Sequence, residues 1–395
     1  MAVPFFLVTN INTKISGDKL SDEQIIAQSL QDDQKTAAAL QSTSTDKTPQ
    51  VAGSGFMDLS LIFSGAMSYF SAEEPLALGG HDPPKTGFTF QQLELHMAAN
   101  ADPFFHFQTN VVFNPSEVEV EEAYATTLAM PGNFQMRAGQ FLTRFGRANA
   151  THLHAWHFVD QPLIFGKMFG SEGSRGLGVE TSWLSVLPWY AEVVVSLTNA
   201  DGDCCARSFV GDEDVPIKTP KDLLLTLAFK QFFPLDLDWS LMVGISSQVG
   251  PHSSGKDHRA EIYGADLYVR YKPTEQTERT SLSLQTEVLW RRRQILDDVL
   301  VDYGGYTQVV YDLNQCWGTG IRYEYVTGVQ DDPLDPEWFG NRNRWAFEVT
   351  YRPSHFSQLR LQTGYSSHAQ QIAEDVWSVV VALEVMTGAH GAHTY

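Results

Sequence analysis

The chain has 395 residues and a formal net charge of −20 at pH 7, with 47 acidic and 27 basic side chains. This excess of acid argues against nucleic acid and anionic lipid surfaces as partners. The apolar fraction is 43%, and no stretch approaches ~18 consecutive apolar residues, which excludes a bundle of membrane-spanning helices. A membrane β-barrel is not excluded, because its alternating strands lower the average hydropathy.

The first 54 residues differ in pattern from the rest of the chain. Residues 21–41 predict a helix with Ser21 as its N-cap, because a hydroxyl at this position accepts a hydrogen bond from the first turn. Residues 42–54 are rich in Ser and Thr and are typical of a linker. We therefore expect a periplasmic helix and flexible linker over 1–54, followed by one barrel domain over 55–395.

From residue 56 to 386 the chain alternates between apolar and polar residues. In one segment Trp239, Leu241 and Val243 share a face, and Ser240 lies on the opposite face, because successive side chains of a strand point to opposite sides. Segments of about ten residues that present apolar groups to lipid and polar groups to an aqueous lumen are typical of membrane barrels. The pattern predicts an all-β fold, a transmembrane antiparallel β-barrel of about 16 strands. The side chains predicted to face lipid include Trp239, Leu241, Val243, Trp317, Ile321, Trp345, Phe347, Val379 and Val381.

The links between predicted strands alternate between short and long. Residues 131–132 and 314–315 are tight turns, whereas 144–174 and 328–342 are long links. Short periplasmic turns and long outer loops are typical of outer-membrane barrels. A soluble array such as a propeller or tandem sandwiches also alternates, but it lacks this rhythm of links. The predicted strands span residues 56–70, 88–99, 103–113, 118–129, 133–143, 175–185, 189–198, 222–232, 236–248, 260–272, 279–291, 302–313, 316–327, 343–352, 356–366 and 376–386.

The longest link, residues 144–174, is too apolar for a solvated loop tip. Trp156, Phe158 and Phe165 need burial, which folding inward against the barrel wall provides. We expect this loop to constrict the lumen, with charge pairs along the passage. The residues predicted to line the pore or its constriction are Glu122, Arg137, Arg144, Arg147, Asp160 and Arg175.

The chain resembles the phosphate-selective porin O and P family of sixteen-stranded outer-membrane channels. The resemblance rests on the acidic strand Val118–Tyr124, the strand Arg137–Phe141, Phe145-Gly146 and the re-entry Arg175–Gly178. The family implies an anion preference through a lumen lined by lysine and arginine, but the inward-facing charges predicted here are of both signs. The chain also looks like outer-membrane proteins labelled zinc-regulated TonB-dependent receptors, although a receptor of that class has about 22 strands and a plug.

A group of histidines in the same loop suggests a metal site. His152, His154 and His157 lie within six residues, with Asp160 close behind. Imidazoles with a carboxylate suit Zn²⁺ or Cu²⁺, although His-x-His in a loop also arises by chance. Acidic outer loops suit Ca²⁺, but residues 199–203 lack the glycine and closing glutamate of an EF-hand. We expect no obligatory cofactor, with Zn²⁺ or Ca²⁺ as the metals that these residues suit.

These patterns favour a porin that allows small hydrophilic solutes or ions to diffuse through the bacterial outer membrane. The alternatives are a zinc-linked uptake or binding protein and a plugged structural or adhesive barrel. No nucleophile elbow or phosphate-binding loop is present, so we expect no enzyme. The expected partners are outer-membrane lipid, lipopolysaccharide, the solutes and, by analogy with porins of this shape, two further copies in a homotrimer. Residues 1–10 lack the basic region and cleavage site of a secretory signal, so we expect that the signal has been removed or that the native start differs.

Overall fold

The computed structural model describes residues 57–388 except 74, 76, 201, 212–216, 275–279, 330–331, 333–334 and 368–374. Within this part of the chain, sixteen antiparallel strands close into a barrel in which each strand pairs with its neighbours in sequence and β1 pairs with β16. The predicted helix over 21–41 and the boundary after residue 54 lie outside the described residues. The strands are β1 Asp58–Phe70, β2 Gly87–Asn100, β3 Phe105–Phe113, β4 Val118–Thr127, β5 Phe134–Leu142, β6 Arg175–Leu184, β7 Tyr190–Thr198, β8 Leu224–Pro234, β9 Trp239–Pro251, β10 Arg259–Tyr271, β11 Ser281–Gln294, β12 Val299–Asp312, β13 Trp317–Val326, β14 Arg342–Ser354, β15 Ser357–Ser367 and β16 Val376–Gly388.

The predicted strands are confirmed, and the differences lie at their ends. Strand β9 begins at Trp239 rather than at residue 236, because the Asp236 carboxylate accepts hydrogen bonds from the Asp238 and Trp239 amides and closes a turn there. Strand β8 begins late because a 3₁₀ turn with a capping box precedes it. Local turn chemistry thus sets where each strand begins.

Short helices occur only in the links of the described chain, and none of them is long and apolar enough to cross a membrane. Helix α1 spans Leu163–Met168 in the link after β5, and helix α2 spans Asp203–Ala206 in the link after β7. The 3₁₀ turns are Pro131–Asn133, Leu153–Ala155, Pro220–Asp222 and Pro336–Trp338. The strands alone therefore build the barrel wall.

The outer surface of the barrel is apolar and is bounded by aromatic side chains at both rims. At one rim the Trp317 and Tyr351 rings lie 4.7 Å apart across neighbouring strands, and at the other the Tyr323 and Trp345 rings lie 4.5 Å apart. An apolar band between two aromatic girdles is the outer surface of a transmembrane barrel. The side chains predicted to face lipid are exposed or half-buried on this surface: Trp239, Leu241, Val243, Trp317, Ile321, Trp345, Phe347, Val379 and Val381.

The lumen is occupied by the link between β5 and β6, residues 143–174, which we call loop L3. Its apolar side chains, among them Phe145, Ile164 and Phe169, form one buried cluster with inward-facing wall residues such as Ile262 and Leu289. The loop therefore lies inside the barrel, as its apolar composition predicts. The link between β1 and β2, residues 71–86, reaches L3 from the same end and is called loop L1.

Candidate functional site in the barrel lumen

The middle of L3 is held by an ion-pair network on the wall formed by β13–β15. The Asp160 carboxylate lies 2.5 Å from Arg322 Nη2 and 2.8 Å from Arg344 Nη1, and it accepts a hydrogen bond from Gln362 Nε2 at 2.9 Å. Both arginines also contact Glu324 Oε1. Burial raises the pKa of Asp160, but Arg344 and Arg322 outweigh it and lower the pKa to about 2. Asp160 is therefore ionised at any physiological pH.

Helix α1 extends this attachment toward β12. The Leu163 amide donates a hydrogen bond to Glu324 Oε2 at 2.6 Å, and Lys167 Nζ lies 2.6 Å from Asp302 Oδ2. Arg291 contacts both oxygens of the same carboxylate at 2.8 and 2.6 Å. Burial, with the charge of Arg291, lowers the pKa of Lys167 to about 8. The second half of L3 is thus fixed by buried charges that the wall supplies.

Arg147 lies at the first half of the loop and faces β10 and β11. The amides of Arg147 and Ala148 donate to the two oxygens of Glu287 at 3.0 and 2.9 Å. Its guanidinium carbon is 3.8 Å from the centre of the Tyr268 ring, a cation–π geometry. Arg147 thus contacts the wall formed by β10 and β11.

Arg137 and Arg144 share the carboxylate of Glu180. Arg137 Nε lies 2.9 Å and Arg144 Nε 2.7 Å from Glu180 Oε1, and Arg144 Nη1 lies 2.8 Å from Glu192 Oε1. Glu122, which the sequence also predicts to line the passage, contacts His152 of L3. Arg137 of β5 and Arg144 of L3 therefore meet at carboxylates of β6 and β7.

Arg175, at the start of β6, forms an ion pair with Glu119 of β4. Its Nη2 also lies 3.3 Å from the sulfur of Cys205, which is disulfide-bonded to Cys204 in the link after β7. Arg175, one of the six charged residues predicted to line the passage, thus links β6 to β4 and to the link after β7.

The histidines of L3 pair with glutamates of β2 and β4. His152 lies between two carboxylates, with Nδ1 at 3.1 Å from Glu121 and Nε2 at 2.9 Å from Glu122. His154 Nδ1 is 2.9 Å from Glu94 Oε2, and the two imidazole rings stack with centres 5.7 Å apart. Burial lowers the pKa of His152, but the two glutamates more than offset this and raise it well above its usual value.

His157 has a different electrostatic environment. Burial lowers its pKa to about 4, and Arg352 and Arg147 contribute in the same direction against the opposing charge of Asp312. At neutral pH, His157 is therefore neutral, whereas His152 is protonated. The three histidines do not converge on one point, and the zinc site predicted from them stays a prediction.

L3 separates two cavities in the lumen. The main cavity, about 400 Å³, lies between L3, L1 and the wall formed by β10–β13, and Arg147 and Arg322 are among its lining residues. The second cavity, about 360 Å³, lies between L3 and the wall formed by β2–β6, with Arg137 and Arg144 in its lining. His152 borders both cavities. Charged side chains of both signs therefore face the space on each side of the loop.

Two β-bulges place side chains in the lumen that strict alternation sends outward. Between β1 and β2 the register skips Gln91, and between β3 and β4 it skips Glu121. The residues after them, Gln92 and Glu122, also point inward, so that each bulge buries two consecutive polar residues. A bulge inserts one residue and redirects a side chain. The doubled polar residues are the sequence signal that reveals these positions.

Glu121 belongs to a cluster of three side chains that could bind a metal ion. The sequence pattern did not identify this cluster. Donor atoms of His81 from L1, Glu121 from β4 and Glu172 from L3 all lie within 4.8 Å of one another. His81 Nε2 is 3.4 Å from Glu172 Oε2. Burial lowers the pKa of His81, but the hydrogen bond and charge of Glu172 outweigh it and raise the pKa to about 9. All three residues line the main cavity.

Comparison of the sequence with protein-family models gives no match. One curated relative is an uncharacterised protein of Aquifex aeolicus (strain VF5), 29% identical over 353 residues that cover 80% of this chain and 73% of that protein. The relationship therefore extends over most of the barrel and carries no statement of function. The phosphate-selective porin O and P family is not shown by these comparisons.

Solved structures of similar fold are outer-membrane proteins. The DcaP channel of Acinetobacter baumannii has a TM-score of 0.58 at 13% identity, covering 84% of this chain and 97% of that one. The anion-selective porin of Comamonas acidovorans has a TM-score of 0.55 at 10% identity, with 84% and 100% covered. OmpT of Vibrio cholerae in its trimer form has a TM-score of 0.53 at 9% identity, with 84% and 99% covered. Identities this low establish the fold alone.

The chain has the fold of these outer-membrane channels, a closed sixteen-stranded barrel. Its closed sixteen-stranded sheet and its apolar belt between two girdles place it in a bacterial outer membrane. The barrel class and the location predicted from the sequence are both confirmed.

Proposed function

We propose that the protein is a passive channel for small hydrophilic solutes and ions, and that L3 narrows its lumen. The observation that carries the proposal is the position of L3, whose backbone and side chains bond to β2, β4, β11 and β13–β15 from inside the barrel. A solute that enters the barrel must pass along this loop. The process involves diffusion and no chemical step.

The charges around the main cavity favour polar solutes over apolar ones. Arg147 and Arg322 lie on one side, while Glu121 and Glu172 lie toward L1 and β4. Opposite charges across a narrow passage create a transverse field that orients a dipolar solute and its water. This arrangement suits uncharged polar molecules and small ions and supplies no dedicated site for phosphate.

We expect a weak preference for cations at low salt. The net charge of −20 gives the protein a negative potential that concentrates cations at the channel mouth. The preference fades as the Debye length falls toward ~8 Å at physiological ionic strength. The test is the reversal potential of single channels of the full chain in a salt gradient, measured at several ionic strengths.

Two arginine variants test whether charges in the lumen set the ion selectivity. Arg147→Gln removes a positive charge from the main cavity and should raise the cation preference; a full charge at ~4 Å in water changes local ion energy by ~1 kcal/mol. Arg292→Gln is the matched control, because Arg292 pairs with Glu261 and both are partly exposed near the barrel rim. A wild-type anion preference, or equal shifts in both variants, would contradict the proposal, and a channel that never conducts would favour the plugged barrel.

We also propose that three copies assemble in the membrane, in contact with lipid and lipopolysaccharide. The support is the apolar outer surface of the barrel and the trimer form of the structurally similar OmpT. Native mass spectrometry of the protein in detergent tests this directly. A monomer as the dominant species over a wide concentration range would contradict it.

A further inference from the structure

The group formed by His81, Glu121 and Glu172 joins three separate parts of the barrel. His81 comes from L1, Glu121 from the wall strand β4 and Glu172 from the last residues of L3. The His81 and Glu172 side chains are only 11% and 10% exposed, so that water screens their interaction weakly. One nitrogen and two carboxylates in reach of one point form a ligand set for a divalent transition metal.

The orientation of His81 presents one ring nitrogen to the two glutamates. Its Nδ1 lies 3.4 Å from the backbone oxygen of Gln91, whose side-chain Nε2 donates to the backbone oxygen of His81 at 2.9 Å. This places the Nδ1 proton toward the carbonyl and leaves the Nε2 lone pair toward the carboxylates, the orientation that metal-binding histidines adopt. Nε2 is buried, and the atom it faces is Glu172 Oε2, at 3.4 Å a long contact that leaves room for a shared ion.

Both bulges of the lumen serve this group. The bulge on β2 turns Gln91 inward to hold His81, and the bulge on β4 turns Glu121 inward as a donor. His152 fixes the Glu121 carboxylate through a 3.1 Å contact with Oε2. Bulges recur next to functional sites because they redirect single side chains. Two independent departures from the strand pattern thus build one cluster.

Gly80 leaves space for the carboxylate of Glu172 beside His81. Its amide donates to the Ser171 backbone oxygen at 3.0 Å, which joins L1 to L3 beside the cluster. A Cβ atom at position 80 would collide with the carboxylate of Glu172. Since the carboxylate is the mobile end of a long side chain, a methyl group there would displace the donor and leave the backbone in place.

We propose that His81, Glu121 and Glu172 bind one divalent transition-metal ion, with Zn²⁺ as the probe, and that the ion links L1, L3 and the wall at the edge of the main cavity. A proton on His81 Nε2 competes with the metal ion, because the protonated imidazole also balances the negative charges of Glu121 and Glu172. The site does not depend on transport: metal binding is measured on the isolated barrel, whether or not the channel conducts. This site differs from the histidine group predicted from the sequence. The two are connected through His152, which contacts Glu121 but is not one of the three proposed ligands.

The test is zinc binding by the folded full chain in detergent after treatment with a chelator, measured by calorimetry. We expect one Zn²⁺ per chain for the wild type and affinity that falls about tenfold or more in His81→Asn and Glu172→Gln. His154→Gln is the matched control, since it removes another buried imidazole of the same lumen and should leave the affinity unchanged. Heat-modified mobility on gels establishes that each variant is folded.

A second pair of variants leaves every ligand in place. Gly80→Ala should weaken zinc binding about tenfold by displacing Glu172, whereas Gly340→Ala, where a Cβ meets nothing within 4 Å, should not change it. Absence of zinc binding at micromolar concentrations, or equal binding by the wild type, His81→Asn and Glu172→Gln, would overturn the proposal in favour of a protonated pair. Loss of binding in His154→Gln with retention in His81→Asn would assign the metal to the other histidines.

Discussion

The two faces of strand β13 place neighbouring residues in opposite environments. Ile321 is 46% exposed on the outer surface, whereas the next residue, Arg322, is 2% exposed and lies in the ion-pair network of L3. Lipid requires only that the outer side chains be apolar, and a period of two residues satisfies this. The inner face must fit a loop that lies elsewhere in the sequence.

The inner face therefore depends on contacts between distant residues. Arg322 bonds to Asp160, 162 positions away, and Val159 bonds to Gln362, 203 positions away. Each such contact joins two charged or polar groups that would otherwise be buried without a partner, which is costly. The outer face tolerates exchange between apolar residues, whereas the inner face tolerates little change.

The largest effect is expected from Asp160→Ala. The substitution leaves Arg322 and Arg344 with only Glu324 as a shared carboxylate, and removing one partner of a buried pair costs ~3–5 kcal/mol. We expect the middle of L3 to detach, with much faster hydrogen exchange at the Val159 amide, which donates to Gln362 in the intact loop.

The control for this loss is Asp58→Asn, which removes a negative charge at the exposed start of β1. Hydrogen exchange in L3 should remain at the wild-type rate. Equal protection of L3 in both variants would mean that the arginine network does not hold the loop.

A smaller loss is expected on the outer face from Ile321→Arg. A charged residue that faces hydrocarbon near the bilayer midplane costs ~2–4 kcal/mol, and the cost falls toward ~0–1 near the interfaces. Leu313→Arg, in the turn before β13, is the matched control. Denaturant unfolding in lipid bilayers measures both, and equal losses would contradict the assignment of the membrane-facing surface.

The smallest of these effects is expected from Gly320→Val on the inner face. The strand pattern predicts that this small inward residue tolerates substitution, but a Cβ there would lie 3.2 Å from Phe158 and 3.3 Å from Val310. Overpacking of this kind costs ~1–3 kcal/mol. Val349→Ile adds a methyl group on the outward face of the neighbouring strand β14 and should be near neutral in unfolding experiments. Equal behaviour of the two variants would show that Phe158 does not pack against β13.

The sequence predicted most of the wall and little of the site. The alternation around Trp239 and Ile321 identified the strands and the lipid face, because that signal is local and repeats along the chain. The apolar character of Trp156 and Phe165 predicted that L3 is buried, but it did not reveal which wall the loop contacts. That choice depends on the shape and charge of strands more than a hundred residues away.

The residues that the sequence missed are those that break its pattern. Strict alternation places Glu121 outward, whereas the register shift between β3 and β4 places it in the lumen beside Glu122. His81 stands alone in L1, so that no motif of fixed spacing marks it. The histidines that do form a motif, His152 and His154, pair with different glutamates of the wall. Close spacing in a loop is therefore a poor guide to which side chains share a site.

Single-channel conductance tests the central claim, that L3 lies in the lumen and narrows it. The wild type is compared with a variant in which residues 153–169 are replaced by a short Gly-Ser linker, after both have been shown to keep the heat-modified mobility of a folded barrel. We expect the variant to conduct several-fold more current than the wild type at the same salt concentration, because ion flow scales with the open cross-section. An unchanged conductance in a folded variant would place the loop outside the path of the solute and contradict this account.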